Sequence, residues 1–397
     1  MAKAKDDVDD ILKELAGEFA EDETEELDFN KSIVNRDPRM IRLADDNLRP
    51  QTLDEIIGQD SIKRTLRTYM KAAKRRGQPL DHVLLSGPPG LGKTTIASVI
   101  ATEMNNALIL DTGPTLNREK MMAHVTSIIN TTKEESLMIV LFCDEVHDLP
   151  KETQTILLPL LEEFKFIDIF CPKFTFVGAT TDPAKLPAPL RDRLAIKYQV
   201  DYYTDDELLL ILKRSFRLLW ELDEDLFDEP VDALFAPVLT DDVDEEGQPV
   251  YVESPTMQAL RMLAHRAKGV PRAANQLLRR AQDFAIGQLT DEQAIWEAEL
   301  TPEIVSEAMR AQGVDKNGLG FLDRRILTTL WTRYRNRVGV SVKAIAAAVG
   351  ESADTIEHVH EPNLVRLGFV ERGERGRTLT TAGQLLAALE EEGLTEY

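Results

Sequence analysis

The chain has 397 residues, 43% of them hydrophobic, and a formal charge of −22, which is length for two to four domains and apolar content for proper cores. No apolar run approaches the roughly 20 residues that span a bilayer, and the opening MAKAKDDVDD lacks the apolar segment of a secretory signal. So strong an acidity would argue against a nucleic-acid partner if it were evenly spread, but residues 1–30 hold 12 acids against 3 bases and residues 221–253 hold 13 acids and no base. These two blocks carry the whole excess, and like-charge blocks read as solvated tails or loops. Cys143 and Cys171 lie in strand-like apolar stretches without metal-type spacing, which points to reduced, buried thiols in a cytoplasmic protein.

Along the chain, residues 1–30 read as an acidic, disordered leader, with a weak helical stripe at Ile11, Leu12, Leu15 and Phe19. From Leu48 a new pattern starts, and Ile62, Leu66 and Tyr69 give it a helical stripe. Strands at 82–86, 107–111, 137–143 and 174–179 then alternate with helices at 93–104, 117–130 and 152–163. Such alternation predicts a parallel sheet with flanking helices. Residues 31–203 form this unit. A helical unit follows over 204–317, interrupted by the acidic insertion 221–253. The last unit, 318–397, shows helical stripes at 321–336, 341–348 and 354–367, then two strand-like pieces, GFVER and GRTLT. Three helices and a hairpin make a winged-helix pattern.

The apolar run before Ser86 leads straight into GPPGLGKTT, residues 87–95. Gly87, Gly92, Lys93 and Thr94 fit the phosphate-loop spacing, with Gly90 between. Glycines let the backbone N–H groups turn inward as an anion nest, the next helix adds its positive end, Lys93 reaches the phosphates, and Thr94 offers a hydroxyl to Mg²⁺. In LMIVLFCDEVHDL, a buried strand delivers Asp144 and Glu145 to its C-terminal edge beside that loop. Asp144 is expected to hold Mg²⁺ and Glu145 to polarise the attacking water. His147 reads as packing or capping. FTFVGATTDP is a second buried strand with a small polar end; Thr180 or Thr181 would sense the γ-phosphate, with Thr181 favoured. LPAPLRDRLAI puts Arg191 and Arg193 past an apolar turn, where they serve either as surface partners of Asp192 or as a finger presented to a neighbouring subunit's nucleotide. Arg272 sits in the first turn of a helix, where a cation opposes the dipole, so an anionic ligand is the better reason for it.

The phosphate loop, the Asp-Glu strand, the threonine strand, LRDR and PRAAN, in this order, resemble an AAA+ ATPase. The wording LRPQTLDEIIGQ, RGQPLDHVLLSGPPGLGKTT, PLRDR and ESADTIEHVHEPNLVRLGFVERGERGR resembles the RuvB family over roughly residues 48–220 and 254–385. The resemblance implies an α/β RecA-like AAA+ domain, a helical lid and a C-terminal winged helix. It implies ATP and Mg²⁺ as cofactors, and a homo-oligomer, a six-membered ring around duplex DNA, that drives branch migration of four-way Holliday junctions. By matching motifs it places Leu48 and Arg49 against the adenine, and Gly90, Gly92, Lys93, Thr94 and Thr95 around phosphates and Mg²⁺. Tyr203 and Arg272 touch the nucleotide from the lid side, and Arg193, with Arg191 beside it, is the finger in trans. Glu162, Glu163 and Phe164 lie near the subunit junction, and Arg372 and Arg377 meet DNA phosphates. Residues 319–380 hold 10 bases against 7 acids, which fits backbone contact rather than base reading.

Two features depart from that pattern. Only KFIDIFCPK separates Phe164 from Phe174, where family members carry a longer β-hairpin that grips the RuvA partner. A protruding hairpin is hard to build from so little chain, which puts a RuvA-like partner in doubt. The acidic leader and the insertion 221–253 are extra, read as solvated loops or as a dock for a basic partner. Beside the junction motor stand two other readings: an AAA+ loader that places a helicase or clamp on DNA, and a nucleotide-binding winged-helix switch that barely turns ATP over.

Overall fold

The computed structural model describes residues 48–394 except 136, 168, 223–230, 244–248, 291–292, 336 and 338. The leader and its expected helix lie outside the described residues, as does part of the acidic insertion. Among the described residues no helix is long and apolar enough to cross a membrane.

After helix α1 (Asp60–Arg76), five parallel strands form one sheet: β1 (Val83–Ser86), β2 (Ala107–Thr112), β3 (Ile139–Asp144), β6 (Thr175–Thr180) and β7 (Ile196–Gln199), in the order β2-β3-β6-β1-β7. The central strands β3 and β6 are buried on both faces almost throughout, which is why they read as continuous apolar runs rather than alternating ones. Helices α2 (Lys93–Met104), α3 (Arg118–Glu135), α4 (Lys151–Glu162) and α5 (Ala188–Arg193) complete the layer. The strand β7 is a correction to the sequence reading. Its four residues, IKYQ, alternate buried and accessible on an edge and carry too few apolar side chains to stand out. A second correction concerns α1: Tyr69 faces solvent, and the buried stripe is Ile62, Leu66, Met70 and Ala73.

Between α4 and β6 a hairpin does form, β4 (Lys165–Phe166) against β5 (Ile169–Phe170), only two residues a side. Phe166 and Ile169 point into the core, while Phe170 is 77% exposed.

The lid comprises α6 (Asp205–Leu219), α7 (Pro255–Arg266), α8 (Pro271–Ile286) and α9 (Pro302–Ala311). Thr204 and Glu207 cap the start of α6 reciprocally, and Ser254 and Thr301 cap α7 and α9. The lid core is continuous with one face of the sheet: Leu208, Leu212, Phe216 and Leu260 belong to the same buried cluster as Val83, Leu85 and Ile100. The described part of the acidic insertion is more than solvated loop. It contains a turn at Val231–Phe235 and the hairpin β8 (Val238–Val243) with β9 (Pro249–Val252). Phe235 is buried against Phe216, which stacks on Trp220, and the Trp220 indole donates to the Ala298 carbonyl at 2.7 Å. Aromatic residues therefore staple an acidic segment to the lid.

The C-terminal unit has its own core, including Leu319, Ile326, Leu330, Ile345 and Val370. It runs α10 (Phe321–Tyr334), α11 (Val342–Val349), α12 (Ala353–Thr355), a wide turn at Ile356–His360 and α13 (Glu361–Arg366). The wing follows, β10 (Val370–Gly373) antiparallel to β11 (Gly376–Leu379), and then α14 (Thr381–Glu391). The expected helix 354–367 forms as one run of right-handed helical backbone that widens at Ile356–His360, where Pro362 cannot donate a hydrogen bond to the turn before it.

Candidate nucleotide site and DNA-facing wing

The phosphate loop leaves β1 between its two neighbours. The Gly87 amide donates to the Thr180 carbonyl of β6 at 3.1 Å, and a side chain at Gly87, whose φ is +142°, would strike the Val200 carbonyl just past β7. The loop can therefore hug the sheet edge only with glycine there. Helix α2 begins with no side-chain cap and no acid in its first turn, so its positive end stays available to an anion. The Lys93 ammonium folds back onto the Gly87 and Pro88 carbonyls at 2.7 and 2.9 Å. Burial pushes its pKa below the ordinary lysine value, and Glu145 and Asp144 pull it back up.

At the end of β3, Asp144 Oδ1 accepts from the Glu145 amide at 3.0 Å. Glu145 has left-handed backbone angles (φ 45°, ψ 49°), a costly conformation for a residue with a side chain. Its carbonyl lies where a side chain on Gly113 would be. Glu145 Oε2 accepts from the Thr181 amide at 3.2 Å and from the Thr181 hydroxyl at 2.9 Å. Thr180 is buried, and its hydroxyl meets His147 Nδ1 at 2.9 Å. Of the two threonines, Thr181 is thus the one whose hydroxyl reaches Glu145.

These groups open into a cleft of about 420 Å³ between sheet and lid, lined by Leu48, Arg49, Gly90, Gly92, Lys93, Thr94, Thr95, Asp144, Glu145, Tyr203 and Arg272. All eleven were expected from sequence to serve the nucleotide or its hydrolysis; Gly87 and Thr181 lie just beneath through the bonds above. The Arg272 amide donates to the Gly90 carbonyl at 3.3 Å, so α8 starts one hydrogen bond from the phosphate loop. Tyr203 donates its amide to Gly269, and burial pushes its phenol up to about 12 despite a hydrogen bond with Gln59. Its ring is an uncharged wall. Cleft residues given no role from sequence include Arg214, paired with Glu55 at 2.9 Å and donating to the Arg49 carbonyl at 3.3 Å, and Ser215 with Asn275, joined at 2.8 Å. A signal existed for Ser215, a polar residue on the buried stripe of Leu208, Leu212 and Phe216.

The arginines of α5 lie outside that cleft. Arg193 Nη1 donates to the Pro189 carbonyl at 2.8 Å and its Nη2 pairs with Glu162, rather than with Asp192. Arg191 is half-buried and Glu163 exposed. Phe164, with φ +53°, sits about 6 Å from His82 and Phe174. Glu162 and Arg193 thus pair outside the nucleotide cleft of their own subunit.

The wing requires a correction. Arg377 was expected to meet phosphate, but it is buried: its Nε donates to Glu361 at 2.8 Å, and its Nη2 lies 2.7 Å from Glu361 and 3.2 Å from Glu357. Packing over the hairpin explains the reversal. Arg372 and Arg377 are paired across the hairpin, and the shared face is covered by the helical segment carrying the two acids. Arg372, further from the core, is 60% exposed while touching the same acids at 3.1 and 3.6 Å. Arg375, in the two-residue tip between the strands, is exposed and has no role in the sequence reading.

Comparison with known proteins agrees with this architecture. Residues 48–200 match the Holliday junction DNA helicase RuvB P-loop domain, 251–315 the RuvB AAA lid domain, and 316–387 the RuvB C-terminal winged helix domain. The Holliday junction branch migration complex subunit RuvB of Kosmotoga olearia is 39% identical over 346 residues, spanning 84% of this chain and 87% of its own. The chain belongs to the RuvB family. The Thermotoga maritima RuvB Holliday junction branch migration motor has a solved structure that superimposes with a TM-score of 0.64 at 35% identity, covering 87% of this chain and 98% of that one. A point mutant of Thermotoga maritima RuvB superimposes at 0.66 and 34% identity with the same coverage. As in other RuvB-family chains, the first domain is a P-loop nucleotide-binding ATPase domain. The P-loop and lid matches leave 201–250 uncovered, so most of the aromatic-stapled acidic segment belongs to the part that those two domain matches do not reach.

Proposed function

We propose that this chain is an ATP-hydrolysing motor that moves duplex DNA through a ring of its own copies and so drives branch migration of Holliday junctions. The observation that carries it is the meeting, in one cleft between two domains, of the P-loop Lys93, the Asp144–Glu145 pair and the lid residue Arg272. In this reading the loop amides and Lys93 bind the phosphates, and Arg272 reports their charge to the lid. Asp144 and Thr94, which both line the cleft, fit a Mg²⁺ ion, because Mg²⁺ takes one or two protein oxygens with water and phosphate for the rest. Bound there, the ion would offset charge on the phosphates. Glu145, steered by Thr181, accepts the proton of the attacking water.

Arg193 acts on the next subunit's nucleotide, because it lies outside its own cleft yet on an accessible face. DNA reaches the lid through the winged helix. Arg366 of α13 donates to the Lys268 carbonyl at 2.5 Å and lies 4.3 Å over the Tyr202 ring; Lys268 pairs with Asp323 at 3.5 Å. Lys268 and Gly269 lead directly into Arg272, so force on the winged helix acts on the residues that read the nucleotide. The stub β4–β5 gives no length for gripping a RuvA-like partner, and we infer none at that element.

The test is junction-dependent ATPase together with strand exchange on a four-way substrate. Hydrolysis with migration is expected; hydrolysis that needs a partner protein and moves no strand would indicate a loader instead. Mixing Lys93→Ala with Arg193→Ala subunits should restore part of the activity that each lacks, since one keeps its finger and the other its cleft. No restoration at any ratio would remove the trans role.

A further inference from the structure

His147 has no part in the scheme above, yet it is almost fully buried in the catalytic layer, with its side chain 7% exposed. Its Nδ1 lies 2.9 Å from the Thr180 hydroxyl and 3.3 Å from Glu145 Oε2, and its Nε2 lies 3.6 Å from Asp148. Thr180 is itself fixed, accepting the Asp182 amide at 3.0 Å. A hydroxyl can donate or accept, whereas a carboxylate oxygen only accepts. The approach of Nδ1 to Glu145 is therefore attractive only when Nδ1 carries the hydrogen. Among the described residues, the contacts that neighbouring groups make with the Glu145 carboxylate all fall on Oε2: the Thr181 amide, the Thr181 hydroxyl and His147. Two hydrogen bonds from Thr181 and the close approach of His147 Nδ1, all on one oxygen, fix the carboxylate plane and leave Oε1 for the cleft.

We propose that His147, anchored by Thr180, is a positioning residue for hydrolysis: it holds Glu145 Oε2 so that Oε1 is aimed at the attacking water. This rests on the reading of Glu145 as the base. In the step, a proton passes from water to Oε1, the water oxygen bonds to the γ-phosphorus, and the bond from that phosphorus to the bridging oxygen breaks. His147 touches neither water nor phosphate; it sets the direction of the group that does. The left-handed backbone of Glu145 makes such a tether useful, because a residue in a costly conformation needs its side chain held from outside.

The experiment measures ATP turnover at saturating ATP, together with ADP affinity, for His147→Leu, His147→Asn, Thr180→Val and Glu145→Gln in the full-length chain. A mis-aimed base predicts that His147→Leu lowers kcat by roughly 10- to 100-fold. ADP affinity should stay within about twofold, because ground-state binding is untouched. His147→Asn, whose amide reaches the Nδ1 position, should recover most of the lost rate. Thr180→Val should give a smaller loss, and adding it to His147→Leu should cost nothing further. The proposal is overturned by an unchanged kcat in His147→Leu, or by a loss that ADP affinity shares and asparagine does not repair. Should His147→Leu fail to fold, Thr180→Val decides by kcat against ADP affinity, read beside Thr180→Ser, which keeps both the anchor and the acceptor of the Asp182 amide and should keep the rate. Full turnover in Glu145→Gln would defeat the base assignment itself, whereas an inert Glu145→Gln beside a normal His147→Leu defeats only the inference about His147.

Discussion

Replacing Arg377 with alanine separates structure from DNA contact in the wing. Its guanidinium faces two carboxylates, and the Glu361 side chain is only 7% exposed. Removing one partner of a buried pair leaves the other charge desolvated, at a cost of about 3–5 kcal/mol. Arg372 remains 3.6 Å from Glu361, so the lower end, about 3 kcal/mol, is the expected loss. The winged helix has a core of its own, and for a domain of that size each kcal/mol moves the midpoint by about 4–8 °C, or roughly 12–24 °C here. Calorimetry of the full chain should show the winged-helix transition falling by that much. Arg372→Ala and Arg375→Ala, both exposed, should leave the transition in place. They should instead weaken duplex binding and reduce the slope of log affinity against log salt by about 0.9 for each phosphate no longer neutralised. A stable Arg377→Ala protein whose salt slope drops like that of the exposed variants would refute the assignment of Arg377 to the interior.

Three further outcomes can be checked. Gly113→Ala would drive a methyl into the Glu145 carbonyl, so turnover should fall at least about tenfold as Glu145 shifts, with nucleotide affinity nearly kept; unchanged turnover would show that the strand-end backbone yields freely. Arg366→Ala removes the bond to Lys268 and the stack on Tyr202; basal hydrolysis and duplex affinity should persist while DNA stimulation is lost, and retained stimulation would place the coupling elsewhere. Asp111 has a carboxyl that burial alone would raise, but hydrogen bonds from His124, Thr112 and Thr115 hold it at about 2, below its ordinary 3.8. Because the folded value is the lower one, its stabilisation is complete above the unfolded value and fades as pH falls toward 2. Acid titration of Asp111→Asn should show a flatter loss of stability across that window, and a profile parallel to the unmodified chain would count against it.

The nucleotide cleft was largely legible from sequence because its chemistry needs fixed types at fixed spacing on one short segment. A glycine-rich turn before a helix has few other uses, and an apolar strand ending in Asp144 and Glu145 can deliver them only to the sheet edge. Arg272 was readable for the opposite reason, as a cation where helix stability disfavours one. Arg377 was misread because two arginines across a hairpin look alike in sequence, and which is covered depends on where α13 packs. β7 was missed because an edge strand need not be apolar, and the stapling of the acidic insertion because Phe235 finds Phe216, itself stacked on Trp220, only in three dimensions.

Sequence by itself determined the order of domains, the phosphate loop, the paired acids and the candidate threonines, since these depend on local spacing and on the chain direction of parallel strands. Tertiary structure alone decided which atoms meet: Thr181 rather than Thr180 on Glu145, His147 beside both, Arg193 outside its own cleft, and Arg377 turned inward. The reason is range. Spacing along a strand or helix fixes the direction of a side chain relative to its own element, but its partner is supplied by a segment tens of residues away, placed by packing that no local pattern encodes.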